Sequence, residues 1–207
     1  MVFFYPHVGL NYHQPAIFPK RILVLGESHY CAEACADCGS RQHPECAGFT
    51  RKVVADYLNP ANEREGWMNT YLKFERSLVG HETTPAESRQ IWDSIAFYNY
   101  LQVAMGGPRK AGTAEQYQAA AEPFFTVIEQ LHPDLLIVWG TRLWDNLPSG
   151  ERWQDGEAVT VEGYDVQNGY YRLSDGKRVR AFCVYHPSAG YDWAYWHKVI
   201  KLVMGDG

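Results

Sequence analysis

The ten residues Arg21-Ile22-Leu23-Val24-Leu25-Gly26-Glu27-Ser28-His29-Tyr30 decide the fold class of this 207-residue chain. Ile22 to Leu25 are all apolar, and a strand covered on only one face would alternate apolar with polar, so this one reads as buried on both faces. Gly26 ends the apolar run, and Glu27, Ser28 and His29 follow at once. In open α/β sheets, ligands sit beyond the carboxyl ends of the parallel strands. A strand that stops on three polar groups therefore reads as one lip of a functional site.

Three further strands fit the same sheet. Ile95 to Leu101 alternates as a strand would, with Asn99 near its end, and Asp134 to Trp139 is a third buried strand closed by Gly140. Tyr170–Leu173 and Arg178–Tyr185 flank the turn Ser174-Asp175-Gly176-Lys177, a hairpin whose second arm runs into His186-Pro187-Ser188. Helices are expected over 51–58, 65–79, 85–93, Thr113 to Leu131 and Tyr191 to Met204, with a short one before Pro148. Thr84-Pro85-Ala86-Glu87 and Thr113 to Gln116 are capping boxes, and Pro123 is expected to kink the helix that holds it. Residues 1–20 read as an extended arm carrying His7 and His13, and 150–169 as polar with little regular structure. Alternating strands and helices imply a three-layer α/β/α domain over residues 1–207, with a central, mainly parallel, four-stranded sheet.

With 46% apolar and 21% charged residues the chain can bury one substantial core. Its net charge of −5 provides no global basic field for a polyanion, so nucleic acid would have to bind through a local patch. Arg109-Lys110, in the turn after Gly106-Gly107-Pro108, is the candidate. No apolar run is longer than Leu135–Trp139 and the start carries no basic leader, so no membrane partner and a cytoplasmic location are expected.

Cys31, Cys35, Cys38 and Cys46 are spaced C-x3-C-x2-C-x7-C, with His43 as a further ligand, in a loop inserted at about 30–48. Thiols so clustered in an intracellular chain point to a metal site that fixes the loop, structural zinc first and an iron–sulfur cluster as the alternative. Beyond that metal no cofactor is expected. Cys183 lies in an apolar run and reads as core.

Gly26-Glu27-Ser28-His29-Tyr30 resembles the first motif of the uracil-DNA glycosylase superfamily, which reads Gly-Gln-Asp-Pro-Tyr-His, Gly-Glu-Ala-Pro-Gly or Gly-Ile-Asn-Pro-Gly in different branches. His186-Pro187-Ser188 is similar to its second motif, His-Pro-Ser. Between them, Gly48-Phe49, Asn99, the Pro108-Arg109-Lys110 turn and the strand PDLLIVWG come in the order of the Gly-Glu-Ala-Pro-Gly, iron–sulfur branch, so the resemblance covers roughly residues 20–200. In that branch one pair of cysteines precedes the first motif, so its ligand roles do not transfer to these four.

The resemblance implies hydrolysis of the N-glycosidic bond of a deaminated or damaged base flipped out of DNA. Phe49 would stack on the base, Asn99 would read its edge, and His29 and Ser188 would complete the base pocket. Glu27 and Ser28 would position the attacking water, while His186 would donate to the base oxygen as negative charge develops there, a contribution of about 3 kcal/mol. Arg109 and Lys110 would contact phosphate. Three departures stand out: Ser28 occupies the place of an Asp or Asn, His29 replaces the motif's Pro, and Ala189-Gly190-Tyr191 follows His-Pro-Ser where a bulky apolar wedge is usual. A catalytically inactive nucleotide- or nucleic-acid-binding protein of the same fold is therefore the alternative. The C-x3-C-x2-C spacing, which radical S-adenosylmethionine enzymes share, is a third, minor one.

Overall fold

The computed structural model describes residues 1–14, 16–31 and 44–205. Among the described residues nine strands are formed: β1 (His7–Val8), β2 (Ile22–Gly26), β3 (Ile95–Asn99), β4 (Leu135–Trp139), β5 (Trp153–Asp155), β6 (Thr160–Val161), β7 (Tyr164–Asp165), β8 (Asn168–Arg172) and β9 (Arg178–Val184). Among the same residues six α-helices accompany them: α1 (Phe49–Leu58), α2 (Met68–Val79), α3 (Pro85–Ser94), α4 (Ala114–Leu131), α5 (Thr141–Asp145) and α6 (Trp193–Gly205). The architecture is mixed α/β. One seven-stranded sheet runs in the order β1-β3-β2-β4-β9-β8-β5, and β6 and β7 pair separately.

The four expected strands form the centre of the sheet, where β3, β2, β4 and β9 run parallel. Every residue of β2, β3 and β4 is buried, which explains the continuous apolar runs of β2 and β4. The expected count of four is corrected to seven. The N-terminal arm contributes β1, antiparallel to β3 with His7 opposite Phe97, while β8 and β5 extend the far edge antiparallel. The polar stretch 150–169 is also more ordered than its composition implies. Its strands are only two or three residues long, too short for a period of two to register.

Strand residues divide alternately between two apolar clusters. Ile22, Val24, Phe97, Ile137 and Phe182 pack with Val54, Phe74, Trp92 and Ile200 from α1, α2, α3 and α6. Leu23, Leu25, Tyr98, Val138 and Ala181 pack with Phe124 and Ile128 of α4 and Leu143 of α5. Both expected capping boxes are present: the Thr84 and Thr113 side chains accept from the amides of Glu87 and Gln116, whose own side chains accept in return. α4 continues past Pro123 as one helix of 18 residues, ending at His132 in the left-handed region.

Beneath α2 and α3, the fully buried carboxylate of Glu75 accepts from Thr83, from Ser88 at 2.6 Å and from the Trp92 indole at 2.9 Å. At the amino ends of the strands, Asp134 accepts from the Arg21 amide at 2.8 Å and from Lys177 Nζ at 2.5 Å, which ties β2, β4 and the β8–β9 hairpin together. Partial burial would raise the Asp134 carboxyl, but Arg21 and Lys177 outweigh that and hold it well below the usual carboxylate range. Its contribution to stability is therefore complete above about pH 4, the unfolded value, and is lost on acidification through the lower folded value. Asp134→Asn should cost about 1–2 kcal/mol at pH 7. Melting curves of variant and wild type should converge as the pH falls below 4.

Candidate functional site

The parallel register brings the carboxyl ends of the central strands level: Gly26 lies opposite Asn99, and Trp139 opposite Val184. The residues just beyond these ends, together with the side chains of α1 and the start of α2, enclose a cavity of about 830 Å³. Glu27, Ser28, His29, Phe49, Asn99, Arg109, His186 and Ser188 all line it. Lys110 is exposed and lies outside its wall. Cys31 and Cys46 stand at the two borders of the cysteine loop, whereas Cys35, Cys38 and His43 lie outside the described residues.

One end of the cavity is built around two neutral buried groups. His29 is almost inaccessible, with Nε2 2.9 Å from Thr50 Oγ1, and burial pushes its pKa down to about 3. Phe49 opens α1, two residues earlier than the apolar pattern suggests, and its ring stacks on His29 with centroids 4.5 Å apart at 13°. That contact covers one face of Phe49. The Asn99 amide nitrogen is 3.2 Å from both ring nitrogens of His29. A side-chain carbon at Gly26 would fall 2.4 Å from Asn99 Oδ1, so only glycine lets the Asn99 amide lie against β2.

At the next strand end, both oxygens of Glu27 are already hydrogen-bonded. Arg142 approaches them with Nε at 2.8 Å and Nη2 at 2.5 Å, a bidentate ion pair, and the Tyr117 hydroxyl donates to Oε1. A water meeting Glu27 must compete with these donors for the carboxylate lone pairs. Arg142 also reaches the Arg109 carbonyl at 3.4 Å, and Arg109 itself sits in the left-handed region at φ +64°. Both arginines thus face the cavity, but the charge of one is matched by Glu27.

His186 is held by its own motif. The Ser188 amide donates to Nδ1 at 3.2 Å, and the Ser188 hydroxyl lies 2.8 Å from the same atom. An amide can only donate, so Nδ1 is an acceptor and the proton of the neutral ring sits on Nε2. Burial lowers the His186 pKa, the negative charge of Glu27 acts against that, and Arg142 adds to the lowering. The ring is therefore a neutral imidazole with one N–H left to give. Its edge contacts the Trp139 ring, at 5.9 Å between centroids.

Arg142 and Tyr117 are absent from the residues expected at the site. The rule that singles out Glu27 and His186 as strand-end groups applies equally to Gly140-Thr141-Arg142, which follow β4 directly. Trp67 and Tyr71, whose helical spacing in the segment 65–79 marks them as core, form the cavity wall with Val53 as well as packing in the core. In nitrogen NMR spectra, His186 should show the Nε2–H tautomer at pH 7 and protonate at lower pH than a free imidazole; Ser188→Ala should reduce that tautomer preference. Compared with known proteins, the sequence matches no family model and no curated protein.

Proposed function

We propose that this chain hydrolyses the N-glycosidic bond of a deaminated or damaged base, the reaction that its resemblance to uracil-DNA glycosylases assigns to bases in DNA. One observation supports this above the others: the side chains of Glu27, Ser28, His29, Phe49, Asn99, His186 and Ser188, drawn from distant parts of the sequence, line the same cavity. The two apolar clusters, each with its own set of helices, support the finer assignment of a three-layer, glycosylase-like fold.

In this mechanism the base enters beside Phe49, and the Asn99 amide, held against His29, reads its edge. His186 donates its Nε2 proton in a hydrogen bond to a base oxygen. As the glycosidic bond breaks, its electron pair leaves with the base, and that hydrogen bond strengthens as negative charge reaches the oxygen, worth about 3 kcal/mol. Keeping His186 neutral avoids the cost of burying a cation before the charge develops. Ser28 orients the water that bonds to the sugar carbon. Glu27, fixed by Arg142 and Tyr117, supplies the negative potential that favours a cationic sugar in the transition state.

A second reading, a non-cutting nucleotide binder, is favoured by a specific pair of observations: Ser28 stands where an acid or amide is usual, and both oxygens of Glu27 are occupied. Release of free base from uracil-, xanthine- or hypoxanthine-containing oligonucleotides, or from the corresponding nucleosides, decides between them. His186→Ala should slow release 10²- to 10³-fold and Asn99→Ala should weaken it. Binding without any base release, across all three bases, would leave only the second reading.

We also propose structural zinc on Cys31, Cys35, Cys38 and Cys46. The donor set fits zinc chemically, and both ends of the loop are anchored: Cys31 by its amide to the Met105 carbonyl at 3.0 Å, and Cys46 within the 3-10 turn Pro44–Gly48 that leads into α1. Elemental analysis should find one zinc per chain, and Cys46→Ser should lower both zinc content and melting temperature. Iron and acid-labile sulfide in protein purified without oxygen would overturn zinc in favour of a cluster.

A further inference from the structure

The cavity is much larger than a base requires, and its remaining walls carry a chemistry of their own. Beyond Phe49 and Asn99 it is lined by Trp67 and Tyr71, by the Thr70 hydroxyl, and by the carboxylates of Asp56 and Glu65. Asp56 comes from α1, Glu65 and Trp67 from the turn that leads into α2, and Thr70 and Tyr71 from the first turn of α2. Aromatic faces beside carboxylate and hydroxyl acceptors suit a sugar, whose C–H face packs on a ring while its hydroxyls donate to the oxygens.

The charges balance almost completely. Arg142 is paired with Glu27, and Asp56 with Lys52 at 2.5 Å. Glu65 and Arg109 then remain, neither with an ion pair among the described residues. A phosphate entering here would meet one unmatched guanidinium, Arg109, offset by one unmatched carboxylate, Glu65, and two ion pairs already closed. A polyanion track would instead need several unpaired cations, and the whole chain carries a net charge of −5.

Resting on the proposed N-glycosidic hydrolysis, we infer that the substrate of this cavity is a free, uncharged nucleoside. The base lies at Phe49 and Asn99, and the sugar hydroxyls donate to Asp56 and Glu65. The atoms balance as hydrolysis: the C1′–N bond breaks with its electron pair leaving on the base, the oxygen of water bonds to C1′, and the proton released from that water ends on the base. The products are a free base and a free sugar.

Binding is measured by tryptophan fluorescence and calorimetry for uridine and 2′-deoxyuridine, for their 5′-monophosphates, and for a ten-nucleotide strand containing one uracil. Each nucleoside should bind at least tenfold more tightly than its monophosphate, with an affinity that does not change between 50 and 300 mM salt. Glu65→Gln and Asp56→Asn, both at solvent-accessible positions, should each weaken nucleoside binding about tenfold and leave the melting temperature unchanged. Tighter binding of the monophosphate or the strand, a steep salt dependence, no nucleoside binding, or base release from the strand alone would overturn the inference. Nucleoside binding with no base release from any of these compounds would uphold the ligand class and overturn the hydrolysis on which the reaction rests.

Discussion

The parallel pairing of β2 with β3 is the constraint on which the site depends. It sets Gly26 opposite Asn99, and the absence of a side chain at Gly26 gives the Asn99 amide its place. A slip of one residue would turn every apolar side chain of β2 to the other cluster. That is strongly disfavoured, because the two clusters take alternate residues from each strand. Packing of the core thereby fixes where the strands end, and the strand ends fix which polar groups converge. The Tyr100 and Leu101 amides extend this control past the ladder by donating to the Gly26 and Glu27 carbonyls, both at 2.9 Å.

The two ends of the sheet use charge differently. At the amino ends, Asp134 takes direct bonds from Arg21 and Lys177, so its charge holds the strands and the hairpin together. At the carboxyl ends Glu27 is paired with Arg142 from another element, and the groups that face the cavity most deeply are neutral. His29 is neutral because burial disfavours its cation, and His186 is neutral with its proton directed by Ser188. A site of this kind presents fixed dipoles to its ligand with little net charge. Such dipoles act on charge that forms during a reaction more than on charge that arrives with the substrate.

Much of this was legible in the sequence because it depends on strong, short-range signals. Continuous apolar runs marked β2 and β4, alternation marked β3, and the residues immediately after the strands marked Glu27, His29 and His186. Both capping boxes fell where their spacing put them. The edges of the sheet were harder to read: β1 is two residues long and gains its pairing only because His7 and Val8 reach Phe97 and Ala96 from 90 and 88 positions away. Such pairing has no local period to detect.

The helical wall of the cavity was illegible for a different reason. Tyr71 is spaced as a core residue and is one, since it packs against Trp92, Phe97 and Trp139. It also lines the cavity, together with Phe97 of β3 and Trp139 of β4. Apolar spacing reports that a side chain leaves water, and says nothing of whether protein or ligand meets it. Arg142 presents the converse case. Its sequence context marks it as a cation on a short helix, and only the bidentate contact with Glu27 turns it from an open positive charge into half of a neutral pair. The charge balance of the site, which decides what it can bind, is set by that contact across 115 residues of sequence.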